Sequence, residues 1–345
     1  MFTAQGFLTI QKYTDAMLDW VRGRGKIVII VHDNPDPDCL ASALALRHLF
    51  VMKLNRDAVI AFSGMIARSE NVVMAKELEI LLTPLALINL KEYQVVCMLD
   101  TQPGTGNNSL PPGSRADIII DHHPLKELSK ECRWVDVREG YGATATILYE
   151  YLVAQGITIG TKLATALFYA IKSETQDLGR EANRPDKDAY LRLFPLTNKK
   201  LLYEITHPKL SKEYFLTINT ALKHTKIYGK VLIANLGSII FPEIVAEMAD
   251  FLLRLEGIEI VLCMGQYAGE MIISTRTVRH DLNMGETVKR LVLGKGTAGG
   301  HGMMAGGKVD NVSADQKSIN ETEIFLTERL LTEFDLTNTN PGKLI

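Results

Sequence analysis

The stretch KIVIIVHDNPDPDCLASALAL, residues 26–46, decides the fold. Its first part, Lys26 to His32, is a continuous apolar run that turns polar at its end, the pattern of a strand buried on both faces. From Asp38 to Phe50 the chain is rich in Ala and Leu and reads as a helix. Between them lies Asp33-Asn34-Pro35-Asp36-Pro37-Asp38, which combines turn formers with carboxylates. Working outward, Asp57 to Phe62, Tyr93 to Asp100 and Ala116 to Asp121 are further strand candidates. Ile10 to Val21, Glu70 to Leu82, Thr144 to Gln155 and Thr161 to Lys172 read as helices. Apolar strands alternating with helices indicate an α/β domain whose parallel sheet is covered on both faces.

The composition then shifts. Thr197 to Lys226 is polar and Lys-rich, with Pro195 and Pro208 as breakers, and reads as a helical linker. A second, smaller α/β domain follows: strand Lys230 to Gly237, helix Phe241 to Glu256, strands Ile258 to Gln266 and Glu270 to Thr277, and helix Asp281 to Leu293. A glycine-rich loop closes it. The expected division is a first α/β domain over 1–195, a linker over 196–226 and a second domain over 227–335. A length of 345 residues accords with two domains.

The composition excludes several classes. The 38 basic and 40 acidic side chains leave a net charge of −2, which argues against a protein that coats duplex DNA. Cys39, Cys97, Cys132 and Cys263 form no Cys-x-x-Cys pair, so a thiolate zinc site is not expected and a reduced cytoplasm fits. The longest apolar stretch, Leu78 to Leu90, is interrupted by Thr83, Pro84 and Asn89 and is too short to span a bilayer, so no membrane partner is expected.

Three expected strands end in the same chemistry: His32 before the Asp36 and Asp38 turn, Asp100, and Asp121-His122-His123. In a parallel sheet, ligands gather at the carboxyl ends of strands, so these residues should converge. A lone Asp at a strand end is usually a helix cap, and an Asp-Pro is usually a turn. Three successive strands ending this way are harder to explain by capping. Crowded carboxylates and imidazoles call for a cation, and the mixed set suits Mn²⁺, with Zn²⁺, Fe²⁺ or Co²⁺ also compatible. The number of ligands suggests two ions. Near the C-terminus, residues 294–307 contain seven glycines. On glycine count alone, a flexible loop and a backbone cradle for an anion are equally open.

HDNPDPDCLASA (32–43), LDT (99–101) and DHH (121–123) resemble the motifs of the DHH phosphoesterase superfamily. TAGGHGMMAGG (297–307) resembles the Gly-Gly-Gly-His signature of the DHH-associated domain. The layout looks like the oligoribonuclease and pAp-phosphatase branch, also labelled nanoRNase or exopolyphosphatase-related. The resemblance implies an active site in an interdomain cleft and two Mn²⁺ ions. His32 and Asp36 would hold one ion, Asp38 and His122 the other, and Asp100 would bridge both. Glu174 stands where the family carries an aspartate, and Asp177 is a second acidic candidate for that place. His123 would face the substrate phosphate, and Asp121 would support the histidines. Arg276, Gly299, Gly300 and His301 match substrate-binding positions of the second domain. Ala298 replaces the first glycine of that signature.

The implied function is hydrolysis of short single-stranded oligonucleotides, linear dinucleotides such as pApA or pGpG, or pAp by a hydroxide activated between the two ions. The resemblance also allows a homodimer. Two other readings stand beside it: an inorganic pyrophosphatase or exopolyphosphatase-like hydrolase, and a non-hydrolytic nucleotide sensor.

Overall fold

The computed structural model describes residues 4–66, 68–180 and 182–345. The chain divides into two compact units, Met1–Pro208 and Lys209–Ile345.

The first unit runs α1 (Ala4–Val21), β1 (Lys26–Val31), α2 (Pro37–Leu54), β2 (Ala58–Phe62), α3 (Ser69–Glu77), β3 (Leu82–Pro84), β4 (Tyr93–Leu99), β5 (Ile118–Asp121), β6 (Trp134–Val137), α4 (Thr144–Ala154), α5 (Thr161–Glu174), α6 (Arg184–Leu193) and α7 (Lys199–Thr206). Its six strands form a parallel sheet in the order β3-β2-β1-β4-β5-β6. Ile27, Ile29 and Val31 turn to one face, where they pack with residues of α1, α2, α4 and α5 in the main core. Val28 and Ile30 turn to the other face, beneath Leu85, Ile88, Leu90 and Leu110. Both faces are therefore covered, one by helices and the other by short turns and loop.

α2 is central to the helix layer. Asp36 caps it by accepting from the N–H groups of Asp38 and Cys39, Pro37 supplies its first turn, and Asn55 ends it in the left-handed region at φ 53°. α3 is shorter than the expected 70–82 helix. Glu79 adopts φ 57°, which ends the helical path and lets Leu82 enter the sheet beside Ile60.

The second unit contains α8 (Lys212–His224), β7 (Thr225–Tyr228), β8 (Val231–Ser238), α9 (Ile244–Leu252), β9 (Ile260–Tyr267), β10 (Glu270–Thr277), α10 (Met284–Val292), β11 (Gly296–His301), β12 (Met304–Val309), α11 (Gln316–Glu333) and β13 (Gly342–Lys343). Its seven-stranded sheet has the order β11-β12-β10-β9-β8-β7-β13, with β8 and β9 its parallel pair. Ile233, Leu262 and Ile273 face α10 and α11, whereas Leu232, Val261 and Cys263 face α8 and α9. The segment read as a linker is shared between the units: Leu201 and Ile205 of α7 join the first core and Ala221 of α8 joins the second.

The glycine-rich segment is not a loop. It is an antiparallel hairpin, β11 and β12, joined through Gly302 at φ 53°. The glycines answer a packing demand: a Cβ on Gly285 of α10 would lie 2.0 Å from the Gly300 carbonyl oxygen. α10 therefore lies against β11 at a distance that side chains would forbid. Gly299 differs, because a Cβ there would meet nothing within 4 Å.

Candidate metal centre

β1 is flanked by β2 and β4, and the chain reverses its direction of travel across the sheet between β1 and β4. This is where a parallel α/β sheet opens a crevice at its strand ends. His32 follows β1, Asp36 and Asp38 open α2, Asp100 follows β4, and Asp121, His122 and His123 end β5. The structure brings these seven residues together.

The imidazoles are oriented by main-chain carbonyls. His32 Nδ1 lies 2.9 Å from the carbonyl oxygen of Asp33, and His122 Nδ1 lies 3.1 Å from that of Tyr141. A carbonyl only accepts, so each Nδ1 carries the proton and each Nε2 is left to the site. His32 Nε2 is 3.4 Å from Asp36 Oδ1 and 3.6 Å from Asp100 Oδ2. His122 Nε2 is 3.6 Å from Asp100 Oδ1 and 3.9 Å from Asp38 Oδ2. The two oxygens of Asp100 thus face different histidines. His122 Nε2 is buried with no hydrogen-bond partner among the described residues. Where the rings are neutral these nitrogens present lone pairs to carboxylate oxygens, a repulsion that a cation between them, or a proton on the ring, relieves. Each nitrogen with its facing carboxylates is a metal-binding donor set of borderline hardness.

The charge balance points the same way. Burial, with Asp100 and Glu174 nearby, pushes the Asp38 carboxyl well above the usual carboxylate range. Burial and then Asp36 raise Asp100. Burial and the charge of Asp36 push Glu174, the last residue of α5, up to about 7. Asp36 and Asp121 go the other way. Burial opposes their charge, but His32 outweighs it at Asp36 and His123 outweighs it at Asp121. His123 Nδ1 donates to Asp121 Oδ1 at 2.9 Å, and although burial opposes the proton this pairing raises His123 to about 9. Several carboxyls share one buried place, and a cation there would favour their charged forms.

Asp177 is not drawn in. It pairs with Lys172 and accepts from the Tyr190 hydroxyl at 3.0 Å, whereas Glu174 acts electrostatically on Asp38 and His123. Of the two acidic candidates, Glu174 is therefore the one that faces the cluster.

Sequence reasoning missed the frame that holds this cluster. The N-terminus of α4 has no side-chain cap of its own; Asp38 supplies one from α2, accepting from the N–H groups of Thr144 and Ala145 at 2.7 Å each. The Thr144 hydroxyl donates to Asp100 Oδ1 at 2.8 Å. A helix N-terminus thus stabilises the carboxylate form of Asp38. The same turn is fixed from behind by Asp186 of α6, which is fully buried. Asp186 accepts from Gly142 N at 2.9 Å, Asn183 N at 2.9 Å and the Thr146 hydroxyl at 2.6 Å. Residues 141–146 therefore hold His122, Asp38 and Asp100 together. The uncapped Gly-Ala-Thr start of α4 was the available signal.

Cys39 was also missed. It can share a cation with His32 and Asp36 by distance. Burial pushes its thiol to about 12, and the thiol donates to the Asp36 carbonyl oxygen at 3.4 Å. Asn71 is buried too, and it steadies the acidic turn by donating to the Pro35 carbonyl oxygen at 3.1 Å.

The candidate residues of the second unit lie on β10 and β11. Arg276 is 9% exposed and already engaged: Nε donates to Asp250 Oδ1 at 2.5 Å, and Nη1 donates to the Ser274 hydroxyl at 2.8 Å and the Thr275 carbonyl at 2.9 Å. Gly299 and Gly300 pair with Gly306 and Ala305 of β12. His301 ends β11, and its side chain lies outside the described residues.

Residues 26–171 match the DHH family, N-terminal domain, and residues 228–327 match the DHHA1 domain. An uncharacterized protein of Methanocaldococcus jannaschii is 35% identical over 83% of this chain and 58% of its own length. A manganese-dependent inorganic pyrophosphatase of Methanothrix thermoacetophila is 27% identical over 47% of this chain and 51% of its own. The chain thus spans between about half and three fifths of the length of these curated relatives. In fold it resembles an exopolyphosphatase-related protein from Bacteroides fragilis, with a TM-score of 0.72 at 17% identity, covering 94% of this chain and 98% of that one. Among the described residues, no helix is long and apolar enough to cross a membrane. With both domain matches in the order of the two units, and the motif residues gathered at the strand ends, the chain is a member of the DHH superfamily that carries a C-terminal DHHA1 domain.

Proposed function

We propose that this chain is a divalent-metal-dependent phosphoesterase, using two Mn²⁺ ions, that hydrolyses short single-stranded oligonucleotides, linear dinucleotides such as pApA or pGpG, or pAp. The observation that carries this reading is the aim of His32 Nε2 and His122 Nε2 at the carboxylates of Asp36, Asp38 and Asp100. His32 and Asp36 would hold one ion, Asp38 and His122 the other, with Asp100 shared and Glu174 completing the set. When bound, such ions lower the pKa of a water and neutralise charge on a phosphoryl group.

The chain's own residues do the rest. Thr144 and Ala145 hold Asp38 and Asp100 in place, and Tyr141 fixes the His122 ring. His123, protonated beside Asp121, brings a positive charge to a phosphoryl oxygen. Arg276, Gly299, Gly300 and His301 of the DHHA1 domain are the proposed substrate-binding residues. Gly299 leaves backbone open to a ligand, and Arg276 would exchange Asp250 for a phosphate. The four free cysteines suit a reduced cytoplasm.

A second reading, hydrolysis of inorganic pyrophosphate, draws on the Methanothrix relative. One experiment separates them. Purified protein with Mn²⁺ is given 5′-phosphorylated diadenylate or pyrophosphate, beside an Asp100→Ala control. Mononucleotide release that the control loses supports the oligonucleotide reading. Phosphate release from pyrophosphate alone supports the second, and nucleotide binding without turnover leaves a sensor.

A further inference from the structure

We propose that the second unit carries a phosphoryl-anion site, suited to a nucleoside monophosphate, in a cavity of about 400 Å³ at the edge of its sheet. The cavity lies where β7 meets β8 and β13, beside the first turns of α11. β8 is bulged between Asn235 and Ser238, with Gly237 at φ 68°, and the bulge opens the strand end.

The balance of donors and acceptors gives the ligand class. Glu323 is the one carboxylate in the lining, and both its oxygens are taken: Lys226 Nζ donates to one at 2.6 Å and Asn235 Nδ2 to the other at 2.6 Å. The second atom of the Asn235 amide is taken as well, since Oδ1 accepts from Gly237 N at 2.9 Å. Asn320 Oδ1 accepts from Gln316 Nε2 at 2.8 Å, which leaves the Asn320 amide N–H groups as donors. Lys223 and Lys343 also line the cavity, and neither pairs with a carboxylate among the described residues. His224 adds a further ring nitrogen. The lining therefore has spare N–H donors and spare positive charge, and its carboxylate is already neutralised. Such a surface recognises a multiply charged oxyanion. The volume falls within the range of small-molecule pockets and accommodates more than a bare phosphate.

The site is separate from the Arg276 strand. Asn235 alternates with Ala234 and shares the sheet face of Ile233 and α11, whereas Arg276 is held on the opposite face by Asp250 of α9. Occupation of one does not require the other, so the cavity suits a product or effector nucleotide rather than the substrate's reacting phosphate.

The test is calorimetric titration of the full chain in EDTA, which silences the first unit's centre and makes the outcome independent of the hydrolase reading. Wild type, Arg276→Ala and the double variant Lys223→Ala/Lys343→Ala are each titrated with AMP and with inorganic phosphate. The expected result is binding to wild type and to Arg276→Ala, weakened about tenfold or more in the double variant and falling with salt. Tighter binding of AMP than of phosphate assigns part of the contact to the nucleoside, and equal binding assigns all of it to the phosphoryl group. Unchanged binding in the double variant, loss in Arg276→Ala, or no binding to wild type in the millimolar range overturns the proposal. Both lysines are exposed, so their removal leaves the fold intact.

Discussion

The two units treat buried charge in opposite ways. In the second unit, Arg276 is closed by its neighbours: Asp250, Ser274 and the Thr275 carbonyl take up its guanidinium. In the first unit, Asp38 and Asp100 are equally buried, but their nearest charged neighbours include other carboxylates. There His122 Nε2 has no hydrogen-bond partner among the described residues. A self-sufficient cluster stabilises its fold as it stands, and a ligand must displace something to bind. An incomplete cluster is destabilising until a ligand completes it. The first arrangement is complete without a ligand, and the second is one that a cation would complete.

The sharpest way to break this contrast is Asp100→Asn, which removes charge from the shared position and keeps its shape. Steady-state assays with diadenylate should show a loss on the order of 10³-fold or more, and retained turnover would sink the shared-ligand assignment. Asp186→Asn acts at one remove, by loosening the turn that holds His122, Asp38 and Asp100. It should lower Mn²⁺ affinity and turnover together by about 10–100-fold. A fall in thermal stability with unchanged Mn²⁺ affinity would reduce Asp186 to a purely structural part.

Gly300→Ala probes the tight pairing of β11 with β12. Gly300 sits at φ 129°, and a Cβ would lie 2.5 Å from the Ala305 Cα. It should cost about 1–3 kcal/mol, read as a lower Tm. Gly299→Ala, with open space around it, should leave Tm unchanged and raise the Michaelis constant. Equal Tm values for the two variants would refute this hairpin packing.

The incomplete cluster also has a pH signature. Glu174 is raised to about 7 and His123 to about 9. The folded state therefore holds protons that the unfolded chain releases near 4.5 and 6.5. Stability from both is present at low pH and is lost as pH rises through these raised values. The metal-free protein should show a falling Tm from about pH 5 to pH 9, and added Mn²⁺ should flatten that slope. A Tm that rises over this interval without metal would contradict the crowding of carboxyls. The smallest effect belongs to Asp250→Ala, which opens the closed arginine. A few-fold lower Michaelis constant, lost again in Asp250→Ala/Arg276→Ala, would identify Arg276 as a displaced phosphate ligand.

Most of the first unit was legible because its strands are long apolar runs that end in polar residues, and because β1 and α2 share one unbroken pattern. β6 was not legible: Trp134–Val137 includes Asp136, which is bound by Arg138 and the Tyr151 hydroxyl, so no apolar run marks it. α6 is short and polar, and it owes its place to the capping box of Asn183 and Asp186. The hairpin of β11 and β12 holds almost no β-branched residue. Its strands exist because β12 pairs with β10 on one side and β11 on the other, and because α10 presses on β11, facts of tertiary contact rather than of local propensity. At the centre, the motif residues were readable one by one. Thr144, Tyr141 and Asp186 were not, since each acts through another residue more than a dozen positions away.

Asp100 has φ 58°, in the left-handed region, while its N–H is held by the Ile120 carbonyl at 3.1 Å. Outside glycine, that backbone shape is readily adopted by aspartate and asparagine and resisted by β-branched residues. The position therefore filters which letters a lineage can write there. Asn and Gly are therefore the replacements that keep this backbone while giving up the carboxylate, whereas a β-branched residue would disturb the strand end itself.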